Sequence, residues 1–176
     1  MGAGQRIDRN AESSRFNFIA RASSDTIGRF PARIEPARTA GDARRINAAG
    51  KLIVFKSIEN SYPLGDDLAL LGEFYRRGVR PAGPVHSSNN QFADSATDKP
   101  RWNGLSPLGV RWMTEVNRLG MVIDASHASD AAFDQMLSLS KTPLLLSHSG
   151  ARAVFDHPRN VLRILSAAEN YASSRR

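Results

Sequence analysis

Glu59 follows the apolar run LIVFKSI, His86 follows VRPAGPV, His127 follows MVIDAS and His148 follows TPLLLS. Each side chain therefore stands at the downstream end of a hydrophobic stretch, and the four come from distant parts of the chain. A carboxylate and imidazoles are the oxygen and nitrogen donors that a divalent cation takes, and zinc in particular. Brought to one point, they would make a metal site. Scattered, they would be ordinary rim residues. The elements between them decide which.

The runs alternate with helical patterns. Asp42 is placed to cap a helix through Ala49, with Gly50 as its stop. LIVFKSI is apolar at most positions, as expected of a strand covered on both faces. A helix over about 66–77 places Leu68, Leu71, Phe74 and Tyr75 on one side, and Gly78 ends it. VRPAGPVH reads as a short or bulged strand, because Pro81 and Pro84 remove ladder donors. The polar stretch SSNNQFADSATDKPRWNG is long enough to cover a site. Ser106 then caps a helix with Pro107 first, Val110, Met113, Val116 and Leu119 inward, and Gly120 as stop. MVIDASH is the third strand. Ser129 caps a helix carrying Ala132, Phe133, Met136 and Leu137, and PLLLSH is the fourth strand. VLRILSAAENY closes the pattern.

Strand–helix units in tandem predict a parallel sheet with right-handed crossovers. In a parallel β/α barrel the strand ends converge on the catalytic face. The expected fold is thus α/β, a partial (β/α)8 TIM barrel of about four to five β/α units. At 176 residues the chain is short of the roughly 250 typical of a whole barrel. Residues 1–40, interrupted by Pro31 and Pro36, read as irregular with at most one short helix, and residues 41–176 as the partial barrel domain.

The absence of cysteine excludes disulfides, thiolate ligands and cysteine nucleophiles. The formal charge of +7 raises nucleic-acid binding as a function. Its distribution argues against that partner: residues 1–50 hold nine arginines and five acidic residues, but scattered, without lysine and without interleaved aromatics. No apolar run approaches the roughly 20 residues of a membrane span. The N-terminus has no apolar signal-peptide centre, and the compartment stays open.

His127 and His148 share a Ser-His context at matching strand ends and are the leading metal ligands. Glu59 is costly to bury unpaired, and a cation or an arginine removes that cost. His86 suits either a metal or a polarised substrate oxygen. Arg159 suits a substrate carboxylate or a surface ion pair, and His157 suits a structural role. Asp124, inside its strand, suits the orientation of a ligand better than ligation. Asp94 either caps or lines its loop.

At these residues the chain resembles the membrane dipeptidase (renal dipeptidase) family of zinc metallopeptidases, over about residues 51–160. The resemblance rests on SIENSYPLGDDLALLGEFYRRGVR, HSSNNQFADS, GLSPLGVRWMTEVNRLGMVIDASH with ASDAAFDQML, and TPLLLSHSGARAVFDHPRNV. It implies a β/α barrel that hydrolyses dipeptides with a metal-activated water, often tolerating a D residue on the C-terminal side. Glu59 resembles the carboxylate bridging two zinc ions, and His127 and His148 the histidines of the second zinc. His86 resembles the histidine contacting substrate and developing oxyanion, and Arg159 the arginine holding the substrate's terminal carboxylate. Relatives are often exported or membrane-anchored.

The family's first zinc takes a His-x-Asp pair, and none of the four histidines here is followed two places on by aspartate. The later strands of the family are also unmatched. The expectation is therefore a truncated dipeptidase, with one Zn2+ plausible and weak or no activity. The alternatives are a non-catalytic fragment and another metal-dependent amidohydrolase. Unpaired strand edges favour homo-oligomers or aggregation.

Overall fold

The computed structural model describes residues 25 and 27–161. Nearly all of the expected segment VLRILSAAENY, and most of residues 1–40, lie outside them. The described chain is mixed α/β with parallel strands. In order it runs β1 (Ile34–Pro36), α1 (Ala40–Ala48), β2 (Leu52–Val54), β3 (Lys56–Ile58), a 3-10 turn (Tyr62–Leu64), α2 (Ala69–Arg76), β4 (Val79–Ala82), α3 (Pro107–Leu119), β5 (Val122–Ile123) and α4 (Asp130–Leu139). β1 pairs with β2 in one ladder, and β3, β4 and β5 form a second in that order. All pairings within these ladders are parallel. PLLLSH, expected as a fourth strand, joins the second ladder only through an isolated parallel bridge from Asp124 to Leu145.

Local chemistry sets the boundaries. The N-cap of α1 is Thr39 rather than Asp42: the Thr39 hydroxyl accepts from the Asp42 N–H at 3.0 Å, and the Asp42 carboxylate accepts from the Thr39 N–H at 3.0 Å. This reciprocal capping box makes Asp42 the third helical residue. α3 is capped as expected by Ser106, whose Oγ accepts from the Gly109 N–H, and it ends at Gly120 with φ 69°. Its buried face is Gly109, Trp112, Met113 and Val116, while Val110 is exposed. The inward placement of Val110 is thus corrected: the stripe is turned so that the large Trp112 ring, not Val110, fills the core.

Three strand expectations are also revised. The run LIVFKSI divides at Phe55, its first half pairing with β1 and its second with β4. It is not covered on both faces, since Leu52 is 64% exposed and Ile58 only 4%. Ile34–Pro36 is a strand, not irregular chain. It keeps its ladder because the bonds to β2 pass through alternate residues, the Arg33 carbonyl and the Ala37 N–H among them, and Pro36 lies between these on an edge strand. β4 is short and its register with β3 shifts, the outcome that the prolines imply.

The core lies between the second ladder and helices α2, α3 and α4, around Leu71, Phe92, Trp112, Met113, Ile123 and Met136. Gly109 lets the long loop lie on α3, because a Cβ there would stand 2.0 Å from the Phe92 carbonyl oxygen. Among the described residues no helix is long and apolar enough to cross a membrane.

Candidate metal centre

β3, β4, β5 and the Leu145 bridge each deliver one polar side chain just past their ends, because parallel strands in one ladder all point the same way. Gly83 makes the strand ends close: a Cβ there would be 2.8 Å from the Glu59 carbonyl oxygen and 3.2 Å from that of Asp124. Ser61 ties the same region together, donating to the Gly83 carbonyl at 2.9 Å and accepting from Trp112 Nε1 at 3.0 Å.

The result is a convergence on one carboxylate oxygen. Glu59 Oε1 is 3.2 Å from His127 Nε2, 3.2 Å from His148 Nε2 and 3.4 Å from His86 Nε2. His127 Nε2 and His148 Nε2 are 2.9 Å apart. The donor atoms of Glu59, His86 and His127 all lie within 4.8 Å of one another. The four side chains expected to meet from the sequence are therefore brought together. His157 stays outside, its Nδ1 accepting from the Arg159 N–H at 3.1 Å and its ring stacked on Phe155.

This donor set fits a divalent cation. Tetrahedral ligand atoms at about 2.0–2.1 Å from zinc stand roughly 3.3 Å from each other. The separations around Glu59 Oε1 are of that size. Neutral imidazoles and a carboxylate are also short of hydrogens here, because a neutral ring carries only one N–H and a carboxylate none. Nδ1 of His127 is buried without a hydrogen-bond partner.

His127 is the inner wall of the site, 3% exposed, whereas Glu59, His86 and His148 open to solvent. Burial pushes its pKa below the ordinary histidine value, and the Arg159 and His86 charges push the same way. The shift favours the neutral ring, the form that ligates. Its backbone has φ 73°, in the left-handed region that costs a side-chain-bearing residue about 1–2 kcal/mol. The long loop holds it there. Ala96 N–H donates to the His127 carbonyl at 2.8 Å, and Ser129 N–H to that of Asp94 at 3.0 Å.

That loop is ordered by its own acids and amides. The buried Asp94 carboxylate accepts from the N–H groups of Arg101, Trp102 and Gly104, each at 3.0 Å. Of the two roles open from the sequence, Asp94 thus caps the loop's N–H groups. Asn90 donates to the Pro84 carbonyl at 2.7 Å, tying the loop to the end of β4 beside His86.

Asp124 takes no place among the converging donors. Its Oδ1 accepts from the N–H of Ser126 at 3.0 Å and of Ser147 at 3.3 Å, and its Oδ2 from the Ser147 hydroxyl. Ser147 Oγ is 2.7 Å from His148 Nδ1. Burial alone would raise the Asp124 carboxyl, but the hydrogen bonds from Ser147 and Ser126 outweigh it and hold the pKa below the usual value. Ser147 was not singled out by the sequence. The repeated Ser-His pairs were its one signal. Arg159 lies near enough for its charge to act on His127, and its Nε is buried without a partner.

A family model for membrane dipeptidases, peptidase family M19, matches residues 12–167. Dipeptidase tcpJ of Claviceps purpurea is 41% identical over 130 residues, covering 73% of this chain and 31% of its own length. Among solved structures, the probable dipeptidase PvdM from Pseudomonas aeruginosa matches at a TM-score of 0.77 and 38% identity, over 81% of this chain and 37% of that one. A metallo peptidase from Rhodobacter sphaeroides, liganded with a phosphinate mimic of the dipeptide L-Ala-D-Ala, matches at a TM-score of 0.69 and 29% identity, over 85% and 42%. The chain thus spans about a third of the length of the curated relative and somewhat more of the solved ones.

Proposed function

From the premise that the chain belongs to the membrane dipeptidase family, peptidase family M19, we propose that it carries the metal-holding portion of a zinc-dependent dipeptidase built on a (β/α)8 barrel. The observation behind this reading is the meeting of Glu59 Oε1 with the Nε2 atoms of His86, His127 and His148. Glu59, His127 and His148 would hold the zinc, which when bound supplies Lewis acidity and lowers the pKa of water.

His86 and Arg159 act on the substrate. His86, 46% exposed at the mouth, is placed to donate a hydrogen bond to a carbonyl oxygen as negative charge develops on it. The Arg159 guanidinium pairs with the terminal carboxylate of a dipeptide, a two-oxygen acceptor that suits its fork. His127, buried and neutral, excludes water from the inner side of the site. The relative liganded with a dipeptide mimic supports the substrate class.

The chain offers no His-x-Asp pair for a second zinc. Its activity alone is therefore expected to be weak, with one zinc bound. The test is zinc content of the purified chain by plasma mass spectrometry, with hydrolysis of dipeptides bearing an L or D C-terminal residue. One zinc per chain, and slow cleavage abolished in Glu59→Gln, supports the reading. Unchanged zinc content in both Glu59→Ala and His148→Ala overturns it.

A further inference from the structure

The hydrogen bonds around His148 admit one assignment of their hydrogens. An ionised carboxylate only accepts. Asp124 Oδ2 faces the Ser147 hydroxyl, so the single Ser147 hydrogen points to Asp124. Ser147 Oγ then has only lone pairs left for His148 Nδ1, 2.7 Å away, and the hydrogen in that contact must come from the ring. With Nδ1 protonated in the neutral ring, Nε2 is bare. It is Nε2 that faces Glu59 Oε1 and His127 Nε2.

We propose that Asp124 and Ser147 form a relay that fixes His148 in its Nδ1–H tautomer and so presents the Nε2 lone pair to the site before any cation arrives. Both are positioning residues, acting through His148. The inference rests on the metal-site reading above and adds to it the device that prepares one ligand. Two features make the relay rigid. Asp124 is 7% exposed and fixed by backbone N–H groups on two neighbouring strand ends, those of Ser126 and Ser147. The His148 N–H also donates to Ser126 Oγ at 3.2 Å, holding the His148 backbone beside the β5 end. Oriented partners of this kind commonly change metal affinity 10–100-fold.

The tautomer is read directly by two-bond 15N–1H correlation spectra of the metal-free protein above pH 7.5, with His148 assigned from the His148→Gln variant. The expected result is an Nδ1–H ring in the wild type and in Ser147→Thr, which keeps the hydroxyl. In Ser147→Ala and Asp124→Asn the proton should move largely to Nε2, and zinc affinity by chelator competition should fall about 10–100-fold. An Nε2–H ring in the wild type overturns the relay, with no need for a variant to fold. So does an unchanged tautomer in a folded Ser147→Ala protein. If the wild type shows the Nδ1–H ring but binds no zinc, the metal reading fails while the relay stands.

Discussion

Glu59 Oε1 stands 3.2 Å from His127 Nε2, although the two residues are 68 positions apart in the chain. The exposed carboxylate of one strand end thus meets the buried ring of another. Two crossover units set this separation, and Gly83 between them lets the strand ends approach. The contact makes Glu59 the hub of the site and His127 its fixed wall.

Removing the hub should remove the cation. Glu59→Ala and His127→Ala should each lower zinc affinity by more than the roughly 10–100-fold expected for a supporting residue. His157→Ala should leave it unchanged, because His157 contacts Phe155 and its own loop. Zinc titration against a chromophoric chelator separates the two outcomes. Equal loss in all three variants would mean general unfolding instead of ligand removal.

Acid should weaken the fold through Asp124. Its carboxyl is held below the ordinary 3.8 in the folded protein. The unfolded chain therefore binds more protons in the window between the two values, and stability there decreases as pH is lowered. The contribution is fully present above about pH 4 and is lost as pH drops through the folded-state value. Urea unfolding of wild type and Asp124→Asn at pH 2–7 should show the variant less stable at pH 7, with the gap closing in acid. A gap constant with pH would contradict the ionised, hydrogen-bonded carboxylate.

Gly109→Ala should loosen the long loop. The added methyl meets the Phe92 backbone carbonyl at 2.0 Å, so loop and helix must separate. Overpacking of this kind costs about 3 kcal/mol, or roughly 6–12 °C in melting temperature. Because the loop holds the His127 carbonyl through Ala96 N–H, zinc affinity should fall as well. Calorimetry and chelator competition on one sample check both.

Thr39→Ala removes the capping hydroxyl of α1, far from the site. The expected loss is about 1 kcal/mol, or 2–4 °C, with zinc affinity unaltered. A thermal shift assay with and without zinc decides it. This variant also serves as the control for destabilisation alone.

Much of this protein is legible in its residues. The helix over Pro107–Leu119 follows from Ser106, Pro107 and Gly120, because caps and stops act within one turn of backbone. The four polar residues after apolar runs were identifiable for a similar reason: parallel strands put their downstream ends on one side of a sheet. The facing of Trp112 was not. Val110 and Trp112 are both apolar, and only the volume left between helices and ladder chooses which is buried. The division of LIVFKSI at Phe55 was hidden too, since it depends on which neighbours β2 and β3 find.

The sequence by itself determined the capped helices, the donor types and the family, all of which are properties of local pattern. Tertiary structure alone decided that three imidazole nitrogens reach one carboxylate oxygen, that His127 is buried while Glu59 is open, and that Ser147 meets Asp124. These depend on placing segments tens of residues apart to within a few tenths of an ångström. Such distances are fixed by how the strands twist and the core packs, and no spacing along the chain encodes them.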